Sequence, residues 1–82
     1  VKTILYTVTA ARALRTHANR AKLIRSKITQ YATNPASQAN NVKQLSGVGI
    51  LRLRVGDFRV LFSETAETIT ILDIGPRGRI YD

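Results

Sequence analysis

Leu51-Arg-Leu-Arg-Val-Gly-Asp-Phe-Arg-Val-Leu-Phe62 decides the fold. Apolar and polar residues alternate on both sides of Gly56-Asp57, the signature of a tight β-hairpin. Pairing across that turn sets Val55 against Phe58, Leu53 against Val60 and Leu51 against Phe62. These six side chains form one apolar face. The same register puts Arg54 opposite Arg59 on the other face, with Arg52 two residues along the strand. Like charges directly opposite on a sheet are unfavourable, by some fraction of about 1 kcal/mol. A fold that gathers three guanidinium groups in this way points to an anionic ligand.

The rest of the chain supports that direction. Thirteen Lys/Arg against five Asp/Glu give a net charge of +8, which points to nucleic acid, an anionic membrane surface or an acidic protein partner. A membrane-surface reading would need one basic amphipathic helix with bulky apolar anchors, and the second basic segment, Lys43 to Arg79, reads as sheet. No apolar run approaches the roughly 20 residues that span a bilayer, and no signal peptide is visible. The chain has no cysteine, which excludes disulfides and thiolate metal sites and fits a reducing cytoplasm. We expect a cytoplasmic protein of a single small domain, residues 1–82.

Outward from the hairpin, Lys2 to Val8 reads as a short strand. Thr7 or Thr9 can cap a helix from Ala10 to about His17. Ala21, Ile24, Ile28, Tyr31 and Ala32 recur at helical spacing, with Asn19 as a candidate N-cap. Asn34-Pro35 stops that helix, because Pro disfavours a helical residue before itself. Ala36 to Asn41 reads as loop and Val42 to Leu45 as a short strand. Thr68 to Ile74 is β-branched and reads as a further strand. Gly75-Pro-Arg-Gly-Arg79 is expected to leave the sheet, since Pro is barred from a central strand. The order β-α-α-β-β-β-β, a helix pair on one face of an antiparallel sheet, is an α+β fold.

Common enzyme constellations are absent from this pattern. The one histidine, His17, has no acidic neighbour at metal-ligand spacing, so neither a metal nor another cofactor is expected. Asp57, Glu64, Glu67 and Asp73 fall in or near turns or at a strand end and form no evident acid/base pair. Gly47-Val-Gly49 lacks the setting of a phosphate loop. The candidates that remain are Lys43, Arg52, Arg54, Arg59, Arg77, Arg79 and Tyr81. Arginine suits phosphate because its planar fork bonds two oxygens and keeps its charge.

The hairpin, followed by Ile71-Leu-Asp-Ile-Gly-Pro-Arg77 and then Ile80-Tyr81, resembles the C-terminal half of the RelE/ParE superfamily of type II toxin–antitoxin toxins. The helix pair ended by Asn34-Pro35, with Lys43 to Gly47 after it, is similar to that family too. The resemblance implies a RelE-like, microbial RNase-type fold. For the RelE branch it implies ribosome-dependent, metal-independent cleavage of mRNA in the A site by 2′-hydroxyl attack. Tyr81 would match the general base, Arg59 the phosphate-binding arginine and Arg77 an arginine that stabilises the transition state or leaving group. Arg52 and Arg54 would match basic strand positions, and Lys43 and Arg79 would add to the phosphate-binding set. Ile50 stands where the RelE branch places a lysine, and Pro76 where many relatives carry lysine or histidine. An unperturbed tyrosine has a pKa near 10, and neighbouring guanidinium groups would lower it. The resemblance also implies a cognate antitoxin. Two other readings use the same surface: a ParE-like inhibitor of DNA gyrase without nuclease activity, and an RNA-binding module without chemistry.

Overall fold

The computed structural model describes residues 2–45 and 49–78. The elements run β1 (Thr3–Tyr6), α1 (Val8–Thr16), α2 (Ala18–Thr33), a 3-10 helix (Pro35–Asn41), β2 (Val42–Leu45), β3 (Ile50–Val55), β4 (Phe58–Glu64) and β5 (Thr68–Pro76). This is the α+β order read from the sequence. The five strands form one sheet in the order β1-β5-β4-β3-β2. Strands β2 to β5 pair antiparallel, whereas β1 joins the far edge parallel to β5, so the whole sheet is mixed.

The hairpin register is the expected one: Leu51 pairs with Phe62, Leu53 with Val60, Arg54 with Arg59 and Val55 with Phe58. Gly56 takes φ +57° in the first central position of the turn, while no described non-glycine residue has positive φ. That sign pattern is the one a II′ turn shows, and it matches the right-handed twist of the flanking strands.

The helix pair covers one face of the sheet. Ala10 and Leu14 of α1 and Ile24, Ile28, Tyr31 and Ala32 of α2 pack with Leu53, Val55, Val60, Phe62, Ile69, Ile71 and Ile74. Burying each large apolar side chain contributes about 1.5–3 kcal/mol relative to exposure. Thr7 caps α1: its hydroxyl accepts the Ala10 N–H at 3.1 Å and donates to the Leu72 carbonyl at 3.0 Å, so the cap also ties the helix to β5.

Four local expectations need correction. The first helix starts at Val8, two residues early, because Thr7 is the cap. The second starts at Ala18, with His17 rather than Asn19 at its N-cap and no side-chain cap bond. Only His17 separates the two helices, and its ring meets Phe58 edge-on at 4.9 Å. Residues 35–41 form a 3-10 helix instead of a loop. Its start is set by Pro35 in the first turn, where a missing N–H is harmless, and by the Ser37 hydroxyl donating to Asn34 O at 2.7 Å. Finally, Gly75 and Pro76 stay in the sheet, opposite Arg59 and Phe58. Strand β1 pairs only as far as Ile71. Beyond it β5 is an edge strand, where proline is tolerated.

Candidate nucleic-acid interface

The face of the sheet away from the helices collects the basic residues. Alternation along β3 sends Leu51, Leu53 and Val55 to the core and Arg52 and Arg54 to the other side. On β4 it sends Arg59 and Leu61 the same way. On β2, Lys43 stands opposite Arg52. Three neighbouring strands therefore contribute Lys43, Arg52, Arg54 and Arg59 to one surface.

These cations differ in how they are held. Arg59 is only 7% exposed, and its Nη1 donates to Gly56 O and Phe58 O, both at 3.1 Å. Its guanidinium is thus fixed against the backbone of its own hairpin. Gly75, opposite Arg59 on β5, presents no side chain beside it. Arg54 is exposed, and its Nη2 donates to Asn41 Oδ1 at 3.1 Å. Lys43 is exposed and Arg52 half-buried. The backbone N–H of Arg77 donates to Asp57 O at 2.6 Å, which ties the residue after β5 to the hairpin tip. Arg77 itself is exposed. Arg79 and Tyr81 lie outside the described residues.

The acids take other roles. Asp73 accepts the Ile74 N–H at 2.8 Å. It also lines a groove of about 390 Å³ between α1 and the end of β5, with Arg12 and His17 on the opposite wall. Glu64 accepts from Lys2 Nζ at 2.6 Å and from Tyr31 Oη at 2.6 Å. Burial pushes its carboxyl up, but the bonds from Lys2 and Tyr31 outweigh that and hold it below the usual glutamate value. Burial, and then the bond to Glu64, push the Tyr31 phenol well above the usual tyrosine value. Burial raises Tyr6 as well, against the opposing Arg25 guanidinium, which lies 5.3 Å from its ring centroid. Both shifts disfavour the phenolate that a general base would need.

Sequence reasoning missed the polar scaffold behind Arg54. Gln38, 4% exposed, donates to Gln30 Oε1 at 3.1 Å, and Asn41 Nδ2 donates to Gln38 Oε1 at 3.3 Å. The only sequence signal was a stretch of small and uncharged polar residues, Ala36 to Asn41. With Lys43, Arg52 and Arg54, Asn40 and Asn41 line a small cleft of about 140 Å³.

The profile of the ParE toxin of type II toxin–antitoxin system, parDE, matches residues 4–81. The chain belongs to the ParE toxin family. Solved structures agree with that placement. A chain of the RelBE2 toxin–antitoxin complex from Mycobacterium tuberculosis is 26% identical to this ParE-family chain, with a TM-score of 0.66. The match covers 93% of this chain and 98% of that one. YafQ from E. coli, solved as an H87Q mutant, shares the fold at 15% identity and a TM-score of 0.75 over the full length of both chains. A chain of the E. coli DinJ–YafQ toxin–antitoxin complex does so at 15% identity and 0.76, over 99% of this chain and 98% of that one. No curated protein matches closely enough to count as a relative. Among the described residues, no helix is long and apolar enough to cross a membrane.

Proposed function

We propose that this ParE-family toxin cleaves mRNA on the ribosome. The observation that carries the reading is the directly opposed Arg54–Arg59 pair, set beside Arg52 and Lys43 on the sheet face that the helices leave uncovered. A surface that accepts that repulsion is arranged for an anion repeated along a chain. A phosphodiester backbone is such an anion.

In this reading Arg59 is the fixed phosphate ligand, because its guanidinium is already oriented by two carbonyls. Arg52, Arg54, Lys43 and Arg79 track the neighbouring phosphates. Tyr81 takes the proton of the ribose 2′-hydroxyl as the oxygen attacks the adjacent phosphorus. The bond to the 5′-oxygen breaks and that oxygen takes a proton from water to leave as a hydroxyl, with a 2′,3′-cyclic phosphate on the other fragment. Arg59 and Arg77 stabilise the charge that develops on the phosphorane, where fixed donors contribute most. The family resemblance gives this role to Tyr81, and the upward shifts at Tyr6 and Tyr31 make their phenolates less accessible still. The ribosome supplies the alignment of 2′-hydroxyl and phosphate. An acidic or amphipathic antitoxin would cover the basic face and stabilise this small domain by mass action.

Primer extension on an mRNA incubated with ribosomes and the toxin tests the reading. Codon-phased cuts that need both the ribosome and Tyr81 are the expected result. Their absence with active ribosomes would reject it. The match to the ParE toxin profile favours a second reading, inhibition of DNA gyrase. In that case a supercoiling assay would respond to the toxin while mRNA stayed intact.

A further inference from the structure

Arg54 ends a directional chain of side-chain amides. Its Nη2 donates to Asn41 Oδ1, Asn41 Nδ2 to Gln38 Oε1, Gln38 Nε2 to Gln30 Oε1, and Gln30 Nε2 to Ser26 Oγ at 3.4 Å. Every link runs the same way, with the acceptor oxygen turned toward the arginine and the NH2 group turned away. Hydrogen bonds aligned head to tail polarise one another, most of all away from water. Gln38, at the centre, is almost fully buried.

Packing alone does not account for this arrangement. A buried amide is unfavourable unless both of its ends are bonded, and an apolar side chain would fill the same space without that requirement. The chain's outlet is Arg54, an exposed and flexible side chain directly opposite the fixed charge of Arg59. Left to itself, Arg54 would swing away from Arg59. Asn41 instead holds it against the cleft that Lys43 and Arg52 also line. At about 140 Å³ that cleft is well below the roughly 300–1,000 Å³ of small-molecule sites, and it suits one charged group.

We propose that Gln38 and Asn41 are positioning residues that fix Arg54 as one wall of a subsite for a single backbone phosphate of RNA, between the 3-10 helix and β2–β3. The inference rests on the reading of this face as a phosphate-binding surface. It extends that surface from the sheet onto the 3-10 helix and, through Gln30, back to α2.

The test measures binding of a short 2′-O-methyl single-stranded oligoribonucleotide, which cannot be cleaved, by fluorescence anisotropy across a salt series. The wild type binds with steep salt dependence. Gln38→Met and Asn41→Ala, each checked for folding by circular dichroism, weaken binding about threefold to tenfold, the size of one coupled polar contact. Arg54→Gln lowers the slope of log affinity against log salt by about 0.7, one phosphate contact on a single strand. In the Arg54→Gln background the Gln38→Met effect disappears, which a general loss of packing would not produce. Folded Gln38→Met and Asn41→Ala proteins that bind like the wild type would overturn the positioning role while leaving the phosphate surface intact. Absence of salt-dependent binding by the wild type would overturn the phosphate surface itself, and the subsite with it.

Discussion

The backbone N–H of Arg77 bonds the carbonyl of Asp57 at 2.6 Å, so the turn of the β3–β4 hairpin sets where the chain goes after β5. The side chain of Asp57 is not part of that link, and the backbone shape of the turn is. Gly56 holds that shape at φ +57°, and an added Cβ would meet nothing within 4 Å. Strain alone therefore governs substitution there. Gly56→Ala should lower stability by roughly 1–2 kcal/mol and Tm by several degrees, and on the proposed mechanism it should reduce cleavage by releasing Arg77. Asp57→Ala keeps the carbonyl and should stay within about 0.5 kcal/mol of the wild type. Thermal melts and primer extension on the two variants check both outcomes.

Arg59 is held by two carbonyls but faces the like charge of Arg54. Removing it relieves at most about 1 kcal/mol of repulsion. It forfeits charged hydrogen bonds worth about 1.5–3 kcal/mol. The second term is larger, so Arg59→Ala should destabilise by roughly 1–2 kcal/mol as well as abolish the proposed cleavage. Arg59→Lys keeps the charge and loses the planar fork, so it should recover little activity. A urea titration that found Arg59→Ala more stable than the wild type would show that repulsion dominates.

Thr7 joins two layers through one hydroxyl, which accepts from Ala10 N–H and donates to Leu72 O. Thr7→Val removes both bonds at nearly constant volume and should cost about 1–2 kcal/mol, the upper range for a cap. Thr7→Ser keeps the hydroxyl and should recover most of that. Equal melting points for the two variants would mean that the cap contributes only shape.

The hairpin was legible because three signals agree there: period-two alternation, a two-residue turn with glycine, and apolar partners that match across it. Arg54 opposite Arg59 followed from that register alone. The parallel docking of β1 on β5 leaves no such local signal, since the partners lie more than sixty residues apart in sequence. Gly75 and Pro76 misled because the rule against proline applies to strands paired on both sides, and the length of β1 decides whether β5 is one. The 3-10 helix has no apolar period to detect, since its buried residue is Gln38. The anchoring of Arg77 uses backbone atoms, which carry no sequence signal. The roles proposed for Arg77 and Tyr81 rest on family resemblance, and physical pattern alone reached only a basic sheet face.

Glu64 ties the residue before β1, α2 and the β4–β5 turn together through Lys2 and Tyr31, and Lys2 Nζ also donates to Thr65 O at 2.7 Å. The folded carboxyl lies below its usual value, taken as about 4.3 when unfolded. The unfolded chain therefore takes up the proton first as pH falls. The stability contributed by the ionised group is complete above about pH 4.3 and drains away as pH drops from there through the lower folded value. Tyr31 is shifted the opposite way. Its contribution is complete below about pH 10 and is lost only as pH rises beyond that through the folded value. At neutral pH both contribute in full. Glu64→Gln has no proton to take up, so its Tm should fall less steeply than that of the wild type on acidification from neutral pH. Tyr31→Phe should lower Tm at neutral pH and remove the alkaline loss. Parallel acid limbs for the wild type and Glu64→Gln would show that other carboxyl groups govern acid unfolding.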